Sequence, residues 1–275
     1  MQNVFLSSIH RVPLSYFIYS SLSYYGPETN CEISGTWFVR AIKGLGRTED
    51  AIRMELFRME RDGELHSRRE GRMKFYRPTA AAKAEIDAGR RKIFGDPPGR
   101  WNGTWTVVHS RFAGGERARR DRLRSLLDVE GYAPIGDGTF VHPRPPSSAF
   151  VDAVRSLSAH KGTVTLFTGA TLEERDAREI VKAGWNLTAI SRKYGRFLKR
   201  FNGLNRAKSI SDSLAFAARF AVVFDYLEAA WADPELPEEL LPPGWPAKGA
   251  RALARSLYKK LNPAALRHAH EIYAS

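Results

Sequence analysis

The sequence predicts an α+β protein in three successive parts, and three observations carry that prediction. Residues 13–78 read as three helices followed by a basic two-stranded hairpin. Residues 104–168 run in the order β-α-β-β-α-β. From Leu172 onward the chain reads as helix with no convincing strand. Length alone, at roughly 100–200 residues per domain, suggests about two domains. The pattern instead divides the 275 residues into 1–95, 100–170 and 171–275.

The first helix covers Pro13 to Tyr25, apolar and aromatic, and Gly26-Pro27 closes it. Ser34 to Lys43 reads as a second helix, broken by Gly44-Leu45-Gly46. A third starts at Thr48, a fair N-cap, and runs to Asp62 before Gly63 ends it. Ile52, Leu56 and Met59 recur at i, i+4 and i+7 and share one buried face. Asp50, Met54 and Arg61 point the other way, as does the preceding Arg47, and Arg53 and Arg58 lie on the flanks. Leu65–Arg69 and Met73–Pro78 are short β-prone runs meeting at Gly71. Residues 65–77 hold five basic side chains against one acid. Helix, helix, glycine-containing turn, helix and basic hairpin is the layout of a winged helix-turn-helix. A helix fits the major groove, where side chains read base edges, while hairpin cations neutralise phosphates.

Residues 79–94 form a fourth helix, and Asp96-Pro97-Pro98-Gly99 is a linker. Thr104–His109 is a β-branched strand and Gly115–Glu130 a strongly basic helix. Tyr132–Ile135 and Thr139–His142 flank the turn Gly136-Asp137-Gly138. A helix at Ser148–His160 and a strand at Thr163–Thr168 complete the ferredoxin-like split βαβ order. In the helical remainder, residues 185–211 carry seven Lys or Arg and no acid, while 220–247 carry six acids and no Lys or Arg. Such segregation makes either an anion site facing an acidic surface or two solvated faces.

Composition narrows the function classes. The chain has 43 basic and 30 acidic residues, a formal charge of +13, with 43% apolar and 27% charged content. That is ordinary globular composition, and the excess charge favours polyanionic partners. A single cysteine, Cys31, excludes an intramolecular disulfide and any zinc site built on several thiolates. The stretch Val12–Pro27 is too short to span a bilayer, and Met1-Gln2-Asn3 offers no basic start for a secretory signal. A soluble, cytoplasmic protein with no membrane partner is expected.

Enzyme patterns are weak. Gly44-Leu45-Gly46-Arg47-Thr48-Glu49 lacks the third glycine of a dinucleotide loop, and no strand precedes it. There is no Gly-x-Ser-x-Gly elbow. His268 and His270, two apart on a helix, face nearly opposite sides and suit no shared metal. Cys31 reads as an incidental thiol. No catalytic residue, metal or cofactor is expected.

Three stretches bear a family resemblance. Residues 51–78, from Ala51-Ile52-Arg53-Met54 through Arg68-Arg69-Glu70-Gly71-Arg72 and Tyr76, resemble the N-terminal domain of the PaaX family, bacterial repressors of phenylacetate catabolism. Phe94-Gly95-Asp96-Pro97-Pro98 with Trp101-Asn102-Gly103-Thr104-Trp105 looks like the family's junction into its middle domain. Asp233-Pro234-Glu235-Leu236-Pro237, then Leu240-Leu241-Pro242, Trp245 and Ala250-Arg251-Ala252 look like its C-terminal signature. In order, these cover nearly the whole chain.

The resemblance implies a homodimeric transcriptional regulator with a winged helix, a ferredoxin-like middle domain similar to the CRISPR-associated endoribonuclease Cas2, and an all-helical C-terminal domain. It implies double-stranded operator DNA as partner and an acyl-CoA such as phenylacetyl-CoA as the releasing small molecule. Carried over by position, the reading helix holds Arg53 and Arg58, preceded by Arg47 and Thr48, and the wing holds Arg68, Arg69, Arg72 and Lys74. The run Arg192, Lys193, Arg196, Lys199 and Arg200 is the candidate for CoA phosphates, against the alternative of a solvated amphipathic helix. One departure stands out. Where the family favours a His-Glu-Tyr-Arg-Arg-like run, this chain has Phe224-Asp225-Tyr226-Leu227-Glu228, which removes cations and puts the effector in question. A metal-dependent nuclease is the alternative suggested by the middle domain. It needs a carboxylate on the first strand, and Thr104–Ser110 has none.

Overall fold

The computed structural model describes residues 9–25, 32–96, 99–112, 114–157 and 164–274. Gly26-Pro27, Cys31, Pro97-Pro98, His160 and Thr163 lie outside the described residues. In chain order the elements are α1 (Leu14–Tyr24), β1 (Ile33–Ser34), α2 (Gly35–Lys43), α3 (Glu49–Arg61), β2 (Leu65–Glu70), β3 (Met73–Pro78) and α4 (Ala80–Phe94). Next come β4 (Trp105–Ser110), α5 (Arg117–Val129), β5 (Ala133–Gly136), β6 (Thr139–His142), α6 (Ser148–Leu157) and β7 (Val164–Ala170). Helices α7 (Glu174–Gly184), α8 (Leu187–Arg206), α9 (Asp212–Ala230) and α10 (Ala247–Ala274) follow, with a 3-10 turn at Glu238–Leu240. No described helix is long and apolar enough to cross a membrane.

By packing, the chain groups into two compact units: Met1–Asp96 with Arg192–Trp231 and Pro246–Ser275, and Pro97–Ser191 with Ala232–Trp245. These cut across the expected parts, because residues 171–275 are shared between them. The physical reason is aromatic packing at long range. Trp37 of α2 donates its indole N–H to the Ala269 carbonyl at 3.1 Å. Its ring lies 6.3 Å from Phe216 of α9 and stacks on Tyr273 of α10 at 5.4 Å. Tyr25 stacks on Phe216 at 5.7 Å. The apolar sides of the N-terminal helices are therefore covered by the last two helices.

Local chemistry sets the N-terminal elements. The Ser34 hydroxyl accepts the Trp37 N–H at 3.2 Å, Thr48 accepts that of Ala51 at 3.4 Å, and Thr79 accepts that of Ala82 at 3.3 Å. Each side chain satisfies one N–H that a helix start leaves unpaired. Ile52, Leu56 and Met59 are buried as their spacing requires. Strands β2 and β3 pair antiparallel from Leu65↔Pro78 to Glu70↔Met73, and β1 adds to β3 through Ile33↔Tyr76, giving the order β1-β3-β2. Gly71 turns the hairpin at φ 58°, a left-handed conformation that glycine adopts without steric cost.

In the second unit β4, β5, β6 and β7 form one antiparallel sheet in the order β5-β6-β4-β7, with α5 and α6 as its connecting helices. This is the β-α-β-β-α-β order read from the sequence. Its core holds Val108, Leu123, Leu127, Tyr132, Phe150 and Val154. Tyr132 stacks on Phe150 at 4.9 Å, and Trp185 donates to the Gly131 carbonyl at 3.0 Å.

Candidate nucleic-acid interface and ligand cavity

The β2–β3 hairpin presents a basic surface beside helix α3, whose three arginines are matched by four acids, and the cations of the two elements differ in how free they are. Arg53 is exposed and paired with Glu49 at 2.7 Å across one turn. Arg58 pairs with Glu55 at 2.7 Å and Asp62 at 3.4 Å. Such exposed pairs contribute little and open readily for a stronger anion. Arg68 pairs with Glu32 at 2.6 Å and Glu70 at 2.7 Å, and lies 4.8 Å over the Phe75 ring. Arg69 and Arg72 are exposed, and among the described residues neither has an acidic partner. Thr48 caps the helix.

Two expected interface residues also make contacts within the fold. Lys74 is half-buried and holds Glu60 at 2.6 Å, while Ser67 donates to the same carboxylate at 2.5 Å. The Lys74 bond, with that of Ser67, holds the Glu60 carboxyl below the usual carboxylate range. Arg47 is held by more partners. Its Nη2 donates to the carbonyls of His10 at 2.9 Å, Val12 at 2.7 Å and Ile9 at 3.3 Å. Its guanidinium lies over the Phe17 ring. It anchors the 9–12 turn against the start of α3 and is partly buried there.

Four of the five candidate effector cations meet at one cavity. Its volume is about 430 Å³, and Lys193, Arg196, Lys199 and Arg200 of α8 line it with Arg11, Asp225 and Glu228. That volume falls within the roughly 300–1,000 Å³ of small-molecule sites. Arg192 is exposed and does not line it. Arg11, which sequence reasoning missed, sits on the turn anchored by Arg47 and pairs with Glu228 at 3.0 Å. Lys193 donates to the Glu228 carbonyl at 3.3 Å, and Arg200 pairs with Asp225. Asp225 is 8% exposed, and burial raises its carboxyl above the usual range against the lowering effect of Arg200. Its Oδ1 is buried without a hydrogen-bond partner. The departing run 224–228 thus puts two acids on the wall of the basic cavity. Among the described residues Arg196 and Lys199 have no acidic partner.

Three family models match in order: "PaaX-like protein" over residues 17–82, "PaaX protein central Cas2-like domain" over 98–181 and "PaaX-like protein C-terminal domain" over 185–271. The chain belongs to the PaaX family. Its middle segment, 98–181, is Cas2-like. Among curated proteins it is similar to the "Transcriptional repressor PaaX" of Escherichia coli (strain K12). The two are 27% identical over 236 residues, covering 82% of this chain and 73% of that one. Among solved structures it shares its fold with "Uncharacterized protein Rv0674 from Mycobacterium tuberculosis", at a TM-score of 0.54 and 21% identity. The match covers 83% of this chain and 89% of that one.

Proposed function

We propose that the chain is a cytoplasmic transcriptional repressor that binds a near-palindromic operator as a homodimer and is released by an acyl-CoA. Family membership supports repression, since a relative covering most of the chain is named for that role. The observation that carries DNA binding is the pairing of an outward helix with a basic hairpin. Helix α3 exposes one face, and Arg69 and Arg72 stand beside it with no acidic partner among the described residues. In this reading α2, α3 and the β1-β3-β2 sheet are a winged helix-turn-helix. Helix α3 enters the major groove, the hairpin holds phosphates, and two protomers address half-sites about 34–36 Å apart, or a multiple of that distance.

The cavity supports a releasing ligand bearing phosphates, which Arg196 and Lys199 would meet first. Arg11 lines that cavity, and the carbonyls around it hold Arg47 at the N-terminus of α3. An anion that draws Arg11 from Glu228 acts on the turn that fixes α3. Release then follows from a difference in ligand affinity between the two positions of that turn. The nuclease alternative asks for a carboxylate on β4, and Trp105–Ser110 carries none.

The test is fluorescence anisotropy of a labelled duplex from the region upstream of its own gene, with and without phenylacetyl-CoA. Nanomolar binding abolished by the thioester is expected. Tight binding indifferent to the thioester would keep the DNA role and reject this effector. No specific binding at low salt would overturn the repressor assignment.

A further inference from the structure

The outermost stripe of α3 is not its arginine flanks. At 3.6 residues per turn, Asp50, Met54, Phe57 and Arg61 follow one another at i, i+4, i+7 and i+11, opposite the buried Ile52, Leu56 and Met59. Met54 is 65% exposed and Phe57 57%, the largest apolar exposures on this helix. Arg53 and Arg58 lie to either side of the stripe, each held by an acid of the same helix. Arg53, Arg58 and Arg61 are each paired with an acid and can turn from it to a stronger anion, so the phenylalanine and methionine between them suit an occupant that is anionic around its rim and apolar at its centre.

We infer that Asp50, Met54, Phe57 and Arg61 are the base-reading residues of α3, and that Met54 and Phe57 select thymine through its 5-methyl group. The inference rests on the DNA-binding reading above. The major groove presents that methyl group as its apolar feature, between two rows of phosphates. Three residues of helix advance about 4.5 Å along the axis, and base pairs stack at about 3.4 Å. Met54 and Phe57 therefore address neighbouring or next-neighbouring base pairs. At the two ends of the stripe the chemistry changes in a matching way. Asp50 is an acceptor suited to the cytosine amino group, and Arg61, paired at the exposed surface with Asp62 at 2.9 Å, is a fork suited to guanine once it leaves that acid. A protein partner fits less well, because a stable interface buries about 1,200–2,000 Å² with an apolar centre. Two apolar side chains set among ion pairs offer little of that.

The experiment selects duplexes from a pool with a randomised core, using the full-length protein and its Met54→Ala/Phe57→Ala variant. Melting curves of the two proteins are compared first, and these exposed positions are expected to leave them alike. In the wild-type selection thymine is expected at two neighbouring or next-neighbouring positions of each half-site. Replacing those thymines by deoxyuridine, which removes only the methyl, should weaken wild-type binding about three- to five-fold per position, the value of roughly one buried methyl group. It should leave the variant's affinity unchanged. If the wild type enriches a sequence but binds the uracil duplex equally well, the thymine assignment is overturned while DNA binding stands. If the wild type enriches nothing, it is the DNA-binding reading that has failed.

Discussion

At the residue scale, the hairpin separates cations that face outward from cations that hold the fold. Arg69 and Arg72 have no acidic partner among the described residues, whereas Lys74 is tied to Glu60 at 2.6 Å. Replacing Arg69 or Arg72 by alanine should weaken binding to all DNA sequences alike. Each should also flatten the slope of log K against log salt by about 0.9. Lys74→Ala should leave that slope nearly unchanged and instead lower the denaturation midpoint, since it strips a half-buried carboxylate of its charged donor. Anisotropy at several salt concentrations, with urea unfolding beside it, separates the two classes. The sequence gives charge but not commitment, so Lys74 and Arg47 read as interface residues. The partners that claim Arg47 lie 35 to 38 residues away, beyond any local pattern.

At the element scale, boundaries were legible wherever one residue dictates them. Ser34, Thr48 and Thr79 start helices with their own hydroxyls, and Gly71 turns the hairpin. The cavity was half legible. The four cations of α8 that line it share a run, but nothing in the sequence tells which element faces that helix. Only the fold puts Arg11, Asp225 and Glu228 there. The second unit carries a pH response of its own. Burial, with the Arg144 charge beside it, pushes His142 of β6 down to about 4 from its ordinary 6.5. The fold thus refuses a proton that the unfolded chain accepts below pH 6.5. This histidine has no effect well above that pH, and stability is lost as pH falls from about 6.5 towards 4, on the order of 3 kcal/mol. His142→Gln should flatten that part of the profile in thermal melts taken across pH 4–7.

At the scale of the whole molecule, the N-terminal helices depend on residues far along the chain. Phe216 contacts Tyr25, Trp37, Phe220 and His268. Behind it Arg219, 1% exposed, lies 4.0 Å from the centre of the Tyr24 ring and donates to the Tyr258 hydroxyl at 2.9 Å. Phe216→Ala should cost about 3–5 kcal/mol. It should also weaken DNA binding, although Phe216 lies outside the proposed winged helix. Urea unfolding and anisotropy on one preparation would show both effects, and full-strength DNA binding despite the stability loss would argue against this coupling. The two-unit grouping was illegible in the sequence because contacts such as Trp37 to Ala269 span 232 residues.

That span has a consequence during synthesis. A ribosome delivers the helices that would face DNA first and the helices that cover their apolar sides last. Until residue 216 has emerged Tyr25 has no Phe216 ring to stack on, and until residue 269 has emerged Trp37 has no carbonyl for its indole. On the proposed function, a chain truncated between these two points lacks part of the packing behind α2 and is expected to compete poorly for an operator.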